Sequence, residues 1–562
     1  MASNISTQPI ALATDFDEIE RAITSLCSHR EQWEQTTIPQ RLVYLQDCLD
    51  RTLVVAENWT NAACEAKGID LQSPLAGEEL ITGAIATIRN LRLLITTLQA
   101  NGRLEPPKIT RREDGQFIAQ VLPANAIERL LYLGYRGEVW LEPGALPTQG
   151  QIYREPTAAK VALILGAGNV SAIVAMDALS KLFSENRVVI VKMNPVNAYV
   201  GKYIAQAFEP LITAGFLSIV YGGAEVGEYL CQHPQIDEIH ITGSHRTHDA
   251  IVWGTNPSER QDRKTTNNPR ITKPITSELG CVTPILVVPG NWSPSDLTFQ
   301  ARQVASTIAH NASFNCASGQ VLVTASGWVQ RDEFLAAVRR ELAAIPSRQA
   351  YYPGAQERYR AFLDRYPQSE PLGAQTPDVV PWTLIPNVQP VAGEYALNEE
   401  AFCGILAEVA IAAQSAPDFL PKAVEFANDR LWGTLSCTVL IDPKNQQKYH
   451  SELDTAIANL RYGAIGVNIW SAMLFYFGST TWGAYPGNTL ADIGSGIGFV
   501  HNSYLFDRPQ KSVVFAPFRI FPTPPWFANH RNLLRMAQKL LKFEAYPSWQ
   551  NLPGLVMAAL RG

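Results

Sequence analysis

The sequence predicts an α/β protein built on a doubly wound parallel sheet, and three observations point to it. From Lys160 onward, short runs rich in Val, Ile and Leu alternate with helix-length segments. The runs end in turn-forming residues: Gly166-Ala167-Gly168-Asn169, Lys192-Met193-Asn194-Pro195, Gly222-Gly223-Ala224-Glu225-Val226-Gly227 and Thr242-Gly243-Ser244. A polar stretch then interrupts the alternation, which resumes after Pro284 and predicts a second α/β domain.

At 562 residues the chain is too long for one core, and two or three domains are expected. The first hundred residues read as helices able to cover one face of a sheet. Asp15-x-x-Glu18 resembles a capping box opening a stripe of Phe16, Ile19, Ile23 and Leu26. Thr37-x-Pro39-Gln40 starts a second helix carrying Leu42, Leu45, Leu49 and Leu53. The first sheet is assigned strands at residues 161–165, 188–191, 217–221 and 238–241, with helices through Leu182, over 198–214 and briefly after Gly227. The second takes strands at 285–288 and 321–324 and helices over 297–308 and 332–344. Residues 245–272 read as a turn-rich surface excursion, 345–395 as loops, 512–515 as an edge strand and 517–525 as a Pro-rich segment.

Composition narrows the function classes. Apolar content of 46% and charged content of 17% are ordinary for a soluble globular protein. A net charge of −6 gives no field for nucleic acid. The start Met1-Ala2-Ser3-Asn4-Ile5-Ser6 lacks the basic and apolar regions of a secretory signal. The most apolar stretch, 161–179, contains Gly166, Gly168, Asn169, Ser171 and Asp177, and reads as strand, loop and buried helix in place of a membrane span. None of the eight cysteines sits in a Cys-x-x-Cys pair, so no zinc site or disulfide framework is expected, and a reducing cytoplasm fits. His245-x-x-His248 has metal spacing but no Glu or Cys partner near it, and reads as a polar loop; no metal is expected.

Two residues stand in chemically suggestive surroundings. Cys316 lies in Asn311-Ala312-Ser313-Phe314-Asn315-Cys316-Ala317-Ser318-Gly319-Gln320, among small and amide side chains ahead of an apolar run. Such a thiol can be a covalent nucleophile if the site lowers its ordinary pKa of about 8.5. Glu278, in Ser277-Glu278-Leu279-Gly280, could activate water. On the residues alone, Cys316 is equally a small buried hydrophobe and Glu278 a capping carboxylate. Gly166-x-Gly168-x-x-Ser171 is a partial dinucleotide fingerprint without its last glycine. Lys192 stands where the fingerprint places an acid, and suits a ribose hydroxyl or a phosphate.

Taken in order, these segments resemble the aldehyde dehydrogenase superfamily over roughly residues 40–515. The family's Pro-x-Asn turn is similar to Gly168-Asn169, its Lys-Pro-Ser-Glu to Lys192-Met193-Asn194-Pro195, and its Gly-x-x-x-x-Gly to Gly222 through Gly227. Its Phe-Thr-Gly-Ser is similar to Ile241-Thr242-Gly243-Ser244, and its Glu-Leu-Gly-Gly to Glu278-Leu279-Gly280-Cys281. The Asn-to-Cys spacing of its nucleophile motif is kept from Asn311 to Cys316, and Glu-x-Phe-Gly-Pro becomes Glu400-Ala401-Phe402-Cys403-Gly404. Leu431-Trp432-Gly433-Thr434, Val467-Asn468 and Ser495-Gly496-Ile497-Gly498 echo later motifs.

The resemblance implies an NAD(P)-binding domain over 1–118 and 159–280 and a catalytic domain over 281–490. It implies a small strand-based oligomerisation element over 119–158 and 491–517, hence a homo-dimer or homo-tetramer, with 518–562 as a C-terminal extension. It further implies oxidation of an aldehyde to an acid. Cys316 attacks the carbonyl, Asn169 and the Cys316 N–H hold the oxyanion, and Glu278 activates the water that hydrolyses the thioester. Lys192 would contact the adenosine ribose, Ser244 the pyrophosphate and Glu400 the nicotinamide ribose, with Gly222 and Gly227 allowing close backbone approach. Pro195 replaces an acid that disfavours a 2′-phosphate, so NAD and NADP both stay open as cofactors. Phe314 and Gly168 replace an amide and an aromatic, which implies an altered pocket.

The Gly-Asn-Val turn and Cys-x-Ser-x-Gln also resemble fatty acyl-CoA reductases, so reduction of acyl-CoA or CoA acylation is the rival activity. A non-catalytic nucleotide-binding scaffold is the rival of another class, and a cysteine hydrolase is a further one with only His310 nearby. In the extension, Arg531, Arg535, Lys539 and Lys542 oppose Leu533, Ala537, Leu540 and Leu541 on one helix, near Trp526, Phe527 and Trp549. That helix could touch a membrane surface weakly or pack on its own body or a partner.

Overall fold

The structure, a computed structural model, describes residues 13–155, 157–373, 376 and 378–562. The reading of Met1–Ser6 lies outside them. The amino-terminal helices form as their caps dictate. Asp15 accepts from the Asp17 N–H at 2.8 Å to start Phe16–Gln35, and a reciprocal Thr37/Gln40 capping box starts Ile38–Ala66. Ile19, Ile23 and Leu26 are buried as the stripe predicts, whereas Phe16 turns outward against Tyr229.

These helices cover a six-stranded sheet in the order 496–497, 275–279, 238–243, 160–165, 187–192, 217–220. The five longer strands run parallel, and Gly496–Ile497 closes one edge antiparallel to Ile275–Leu279. The chain winds outward from Lys160–Leu165, then crosses back to Glu238–Gly243 on its other side. The carboxyl ends of those two adjacent strands therefore face a topological switch point, where open α/β sheets bind ligands.

The second sheet has eleven strands, ordered 108–111, 117–122, 136–141, 509–515, 464–467, 436–440, 283–287, 319–325, 405–411, 382–385, 370–372. Seven of them, from Pro509–Phe515 to Trp382–Ile385, run parallel. The segments 119–158 and 491–517 contribute to this sheet, and the second of them also to the cofactor-side sheet. Residues 512–515 are a correction: they sit between Arg136–Leu141 and Ala464–Val467, buried on both faces, not at an edge. A lysine in a strand normally marks an edge. Here Lys511 is buried, and its ammonium caps the carbonyls of Ile457, Ala458 and Leu460 at a helix end.

Two stretches expected as loops are more regular. Residues 245–272 hold helices His245–Trp253 and Pro257–Thr265, the latter capped by Asn256. Residues 345–395 hold helix Ala355–Leu363 and strands Glu370–Leu372 and Trp382–Ile385. The predicted helix over 198–214 is broken into a 3-10 turn, Pro195–Val200, and short helices Gly201–Ala207 and Glu209–Thr213.

The C-terminal extension folds back onto the amino-terminal layer. Helix Leu533–Ala545 lies against Pro74–Leu80 so closely that a Cβ on Gly77 would sit 2.6 Å from the Leu533 backbone. Buried Glu544 accepts from Arg89 at 2.8 Å and Arg92 at 2.6 Å. Leu533 and Ala537 are buried and Leu540 and Leu541 partly so, while Arg531, Arg535, Lys539 and Lys542 are exposed. The apolar face that a membrane-surface helix would need is thus covered by the protein's own body, which corrects the membrane reading. Among the described residues no helix is long and apolar enough to cross a membrane.

Candidate active site

The carboxyl ends of the cofactor-side strands open into a cavity of about 790 Å³ at the junction of the two sheets. Asn169, Lys192, Gly227, Ser244, Glu278, Cys316 and Glu400 all line it. Gly222 does not; the adjacent Gly223 takes that place. Gly222 instead has φ +149, and a Cβ there would meet Val226 at 2.4 Å, so its role is to form the turn.

Glu278 of strand Ile275–Leu279 and Cys316 line this cavity together, and each perturbs the other's ionisation. Burial pushes the Glu278 carboxyl up to about 7, and the negative charge of buried Asp177 adds to the rise. The Trp482 indole N–H donates to Glu278 Oε1 at 3.3 Å. Burial, reinforced by the Glu278 charge, pushes the Cys316 thiol well above its ordinary range. Cys316 therefore rests as a protonated thiol at neutral pH. Behind it, Asp177 accepts from the Thr242 hydroxyl at 2.8 Å and lies 3.7 Å from His240 and 3.5 Å from His501.

Asn169 donates one amide proton to the Phe314 carbonyl at 3.0 Å, leaving the other for a ligand. Among the described residues no group accepts from the Cys316 backbone N–H. Asn169 and Cys316 line the same cavity.

The rest of the cavity is lined by Lys192, Ser244 and Glu400 among others. Glu400 Oε1 is buried without a partner, and burial pushes its carboxyl up to about 8. An unpaired buried acceptor of this kind suits a ribose hydroxyl. Gly280 leaves the room: a Cβ there would fall 2.0 Å from Glu400 Oε2. Glu399, one residue earlier, is instead paired with Arg246 at 2.7 Å on the rim. Ser244 caps helix His245–Trp253, accepting from the Thr247 N–H at 3.2 Å, and so opens a helix N-terminus onto the cavity. Lys192 ends its strand almost buried, and desolvation pulls its ammonium below the usual range.

His245 and His248 lie on this helix, correcting the polar-loop reading. His245 packs on Trp432 with ring centroids 4.6 Å apart, and His248 is fully buried. Among the described residues no group of three His, Cys, Asp or Glu could hold a metal. Sequence reasoning missed Trp482, Asp177 and Tyr352 at this site; only Asp177, an acid inside an apolar helix, left a signal.

A doubly wound α/β protein with a buried thiol and carboxylate in a cleft at its strand ends sets the frame for comparison. Residues 142–355 match the family model described as the aldehyde dehydrogenase family. Over that segment the chain resembles the aldehyde dehydrogenase family. Solved structures resemble it over nearly its whole length. NAD-dependent aldehyde dehydrogenase from Sinorhizobium meliloti is 17% identical, with TM-score 0.61 over 91% of this chain and 89% of that one. NADP-dependent glyceraldehyde-3-phosphate dehydrogenase from Bacillus halodurans C-125, complexed with NADP, is 15% identical, with TM-score 0.59 over 89% and 92%. Aldehyde dehydrogenase 21 from Physcomitrella patens, in complex with the reaction product succinate, is 14% identical, with TM-score 0.61 over 89% and 90%. At such identities the likeness is one of fold.

Proposed function

We propose that the protein oxidises an aldehyde to a carboxylic acid with NAD or NADP through a thioester on Cys316. The observation that carries this is a buried Cys316 thiol and a buried Glu278 carboxyl lining one cavity with the Asn169 amide and the unpaired Glu400 acceptor.

A bound nicotinamide dinucleotide supplies the hydride acceptor and a cationic ring whose field favours a nearby thiolate. Glu400, Lys192 and the helix N-terminus at Ser244 are the groups that would hold it. Ionised Glu278 takes the thiol proton as Cys316 adds to the carbonyl carbon. The second Asn169 amide proton and the Cys316 N–H stabilise the oxyanion that forms. After oxidation, Glu278 has passed its proton on and accepts another from water, whose oxygen attacks the thioester carbon. Acid leaves and the thiolate is restored.

The test is turnover of short, long and aromatic aldehydes with NAD and NADP, with and without CoA, beside Cys316→Ala. Acid production that requires Cys316 is expected. Activity that survives in Cys316→Ala defeats the proposal. CoA-dependent reduction of acyl-CoA retained by Glu278→Gln would assign the reductase branch instead. Cofactor binding with no turnover at all would leave a scaffold.

A further inference from the structure

The turn that carries the nucleophile is built against the backbone's preference. Asn311, Ala312 and Ser313 are consecutive non-glycine residues with φ of 51°, 53° and 70°. L-residues rarely adopt this left-handed region, and a run of three persists only where surrounding structure holds it. The hold comes from far away in sequence. Lys67 ends helix Ile38–Ala66 and is almost fully buried. Its ammonium lies 2.9 Å from both oxygens of buried Glu79, 2.9 Å from Asn311 Oδ1 and 3.3 Å from the Asn169 carbonyl. Those three partners match the three protons of the ammonium. The Asn311 amide in turn donates to the carbonyls of Asn169 and Phe314, at 3.1 and 2.9 Å. The Tyr351 hydroxyl adds a donor 3.0 Å from both Asn311 Oδ1 and the Asn169 carbonyl, and Lys67 sits 5.0 Å over its ring.

We infer that Lys67 is a positioning residue for Cys316. Charge-balanced by Glu79, it ties the left-handed turn before the nucleophile to the residue that supplies the oxyanion donor. An ion pair serving only to join two helices would direct its remaining protons to helix carbonyls or solvent. This one directs two of three at the nucleophile turn and its neighbour. The inference rests on the reading of Cys316 as the nucleophile.

The test uses the full-length protein and three variants: Lys67→Met, Lys67→Met/Glu79→Leu and Tyr351→Phe. The double variant removes both buried charges, so no lone carboxylate remains to unfold the protein. Four readouts are taken: iodoacetamide alkylation of Cys316 followed by mass spectrometry across neutral to alkaline pH, kcat and KM for an aldehyde, NAD binding, and thermal melting.

The double variant is expected to melt and bind NAD like the natural protein, while Cys316 alkylation changes at least tenfold and kcat falls about 100-fold with KM nearly unchanged, the effect of roughly 1 Å of misplacement. Tyr351→Phe is expected to shift alkylation several-fold in the same direction. A folded double variant with unaltered alkylation and kcat overturns the inference and leaves the pair as a helix joint. Should the double variant not fold, unaltered alkylation in Tyr351→Phe overturns it. Alkylation needs no substrate, so a protein that turns over no aldehyde defeats the proposed activity while this readout still decides the role of Lys67.

Discussion

Glu278 places activity and stability in opposition. Its folded pKa of about 7 lies above the ordinary 4.5, so between these values the folded state holds a proton that the unfolded state has released. Stability therefore falls as pH rises from about 4.5 to about 7 and levels off above. The shift corresponds to about 3 kcal/mol at most. Glu278→Gln should stop thioester hydrolysis yet melt higher than the natural protein at pH 8, with little difference at pH 5. Melting curves at both values check this, and an equal difference at the two would refute it. For the same reason the natural protein's hydrolytic rate should rise with pH through about 7, as the base ionises. Asn169→Ala removes an oxyanion donor and should cost about 3 kcal/mol in the transition state, a kcat loss of about 100-fold with aldehyde KM nearly constant. Cys316, Glu278 and Asn169 carry the proposal because each sits in a local sequence pattern with a known chemistry, and the structure places all three in one cavity. Lys67 was not legible in the sequence: it lies 244 positions before Asn311, and nothing near it in sequence announces a partner.

Among the elements, the extension is the clearest case of tertiary packing deciding a role. Helix Leu533–Ala545 is amphipathic by its sequence, and amphipathicity alone does not say what lies opposite. The answer is the buried Glu544 between Arg89 and Arg92. Glu544→Ala would leave the buried Arg89 and the half-buried Arg92 with less compensation, at a cost of about 3–5 kcal/mol. Urea unfolding should show the lower midpoint, and limited proteolysis earlier cleavage after residue 518. The strands of both sheets were legible from their apolar runs. The helix Pro257–Thr265 was not, because it buries no residue and carries no hydrophobic period to read. Strand 512–515 was found but misplaced, since its neighbours come from residues 136–141 and 464–467.

At the scale of the whole molecule, the eleven-stranded sheet is stitched from distant stretches of chain. Pro509–Phe515 joins seven parallel strands, of which it is one, to an antiparallel meander formed by 108–141. A chain ended before residue 509 would leave Ala464–Val467 with an unpaired, fully buried-type edge beside an orphaned meander. Such a truncation should aggregate, and light scattering against the full-length chain would show it; a soluble, monodisperse product would contradict this placement. The same strand has a consequence for biosynthesis. During translation the first 508 residues emerge with the seam of the larger sheet open. One late, seven-residue strand then closes it, followed at once by the extension that docks on the helices made first. Until strand 509–515 emerges, the nascent protein's seam is open to pairing with a neighbour's.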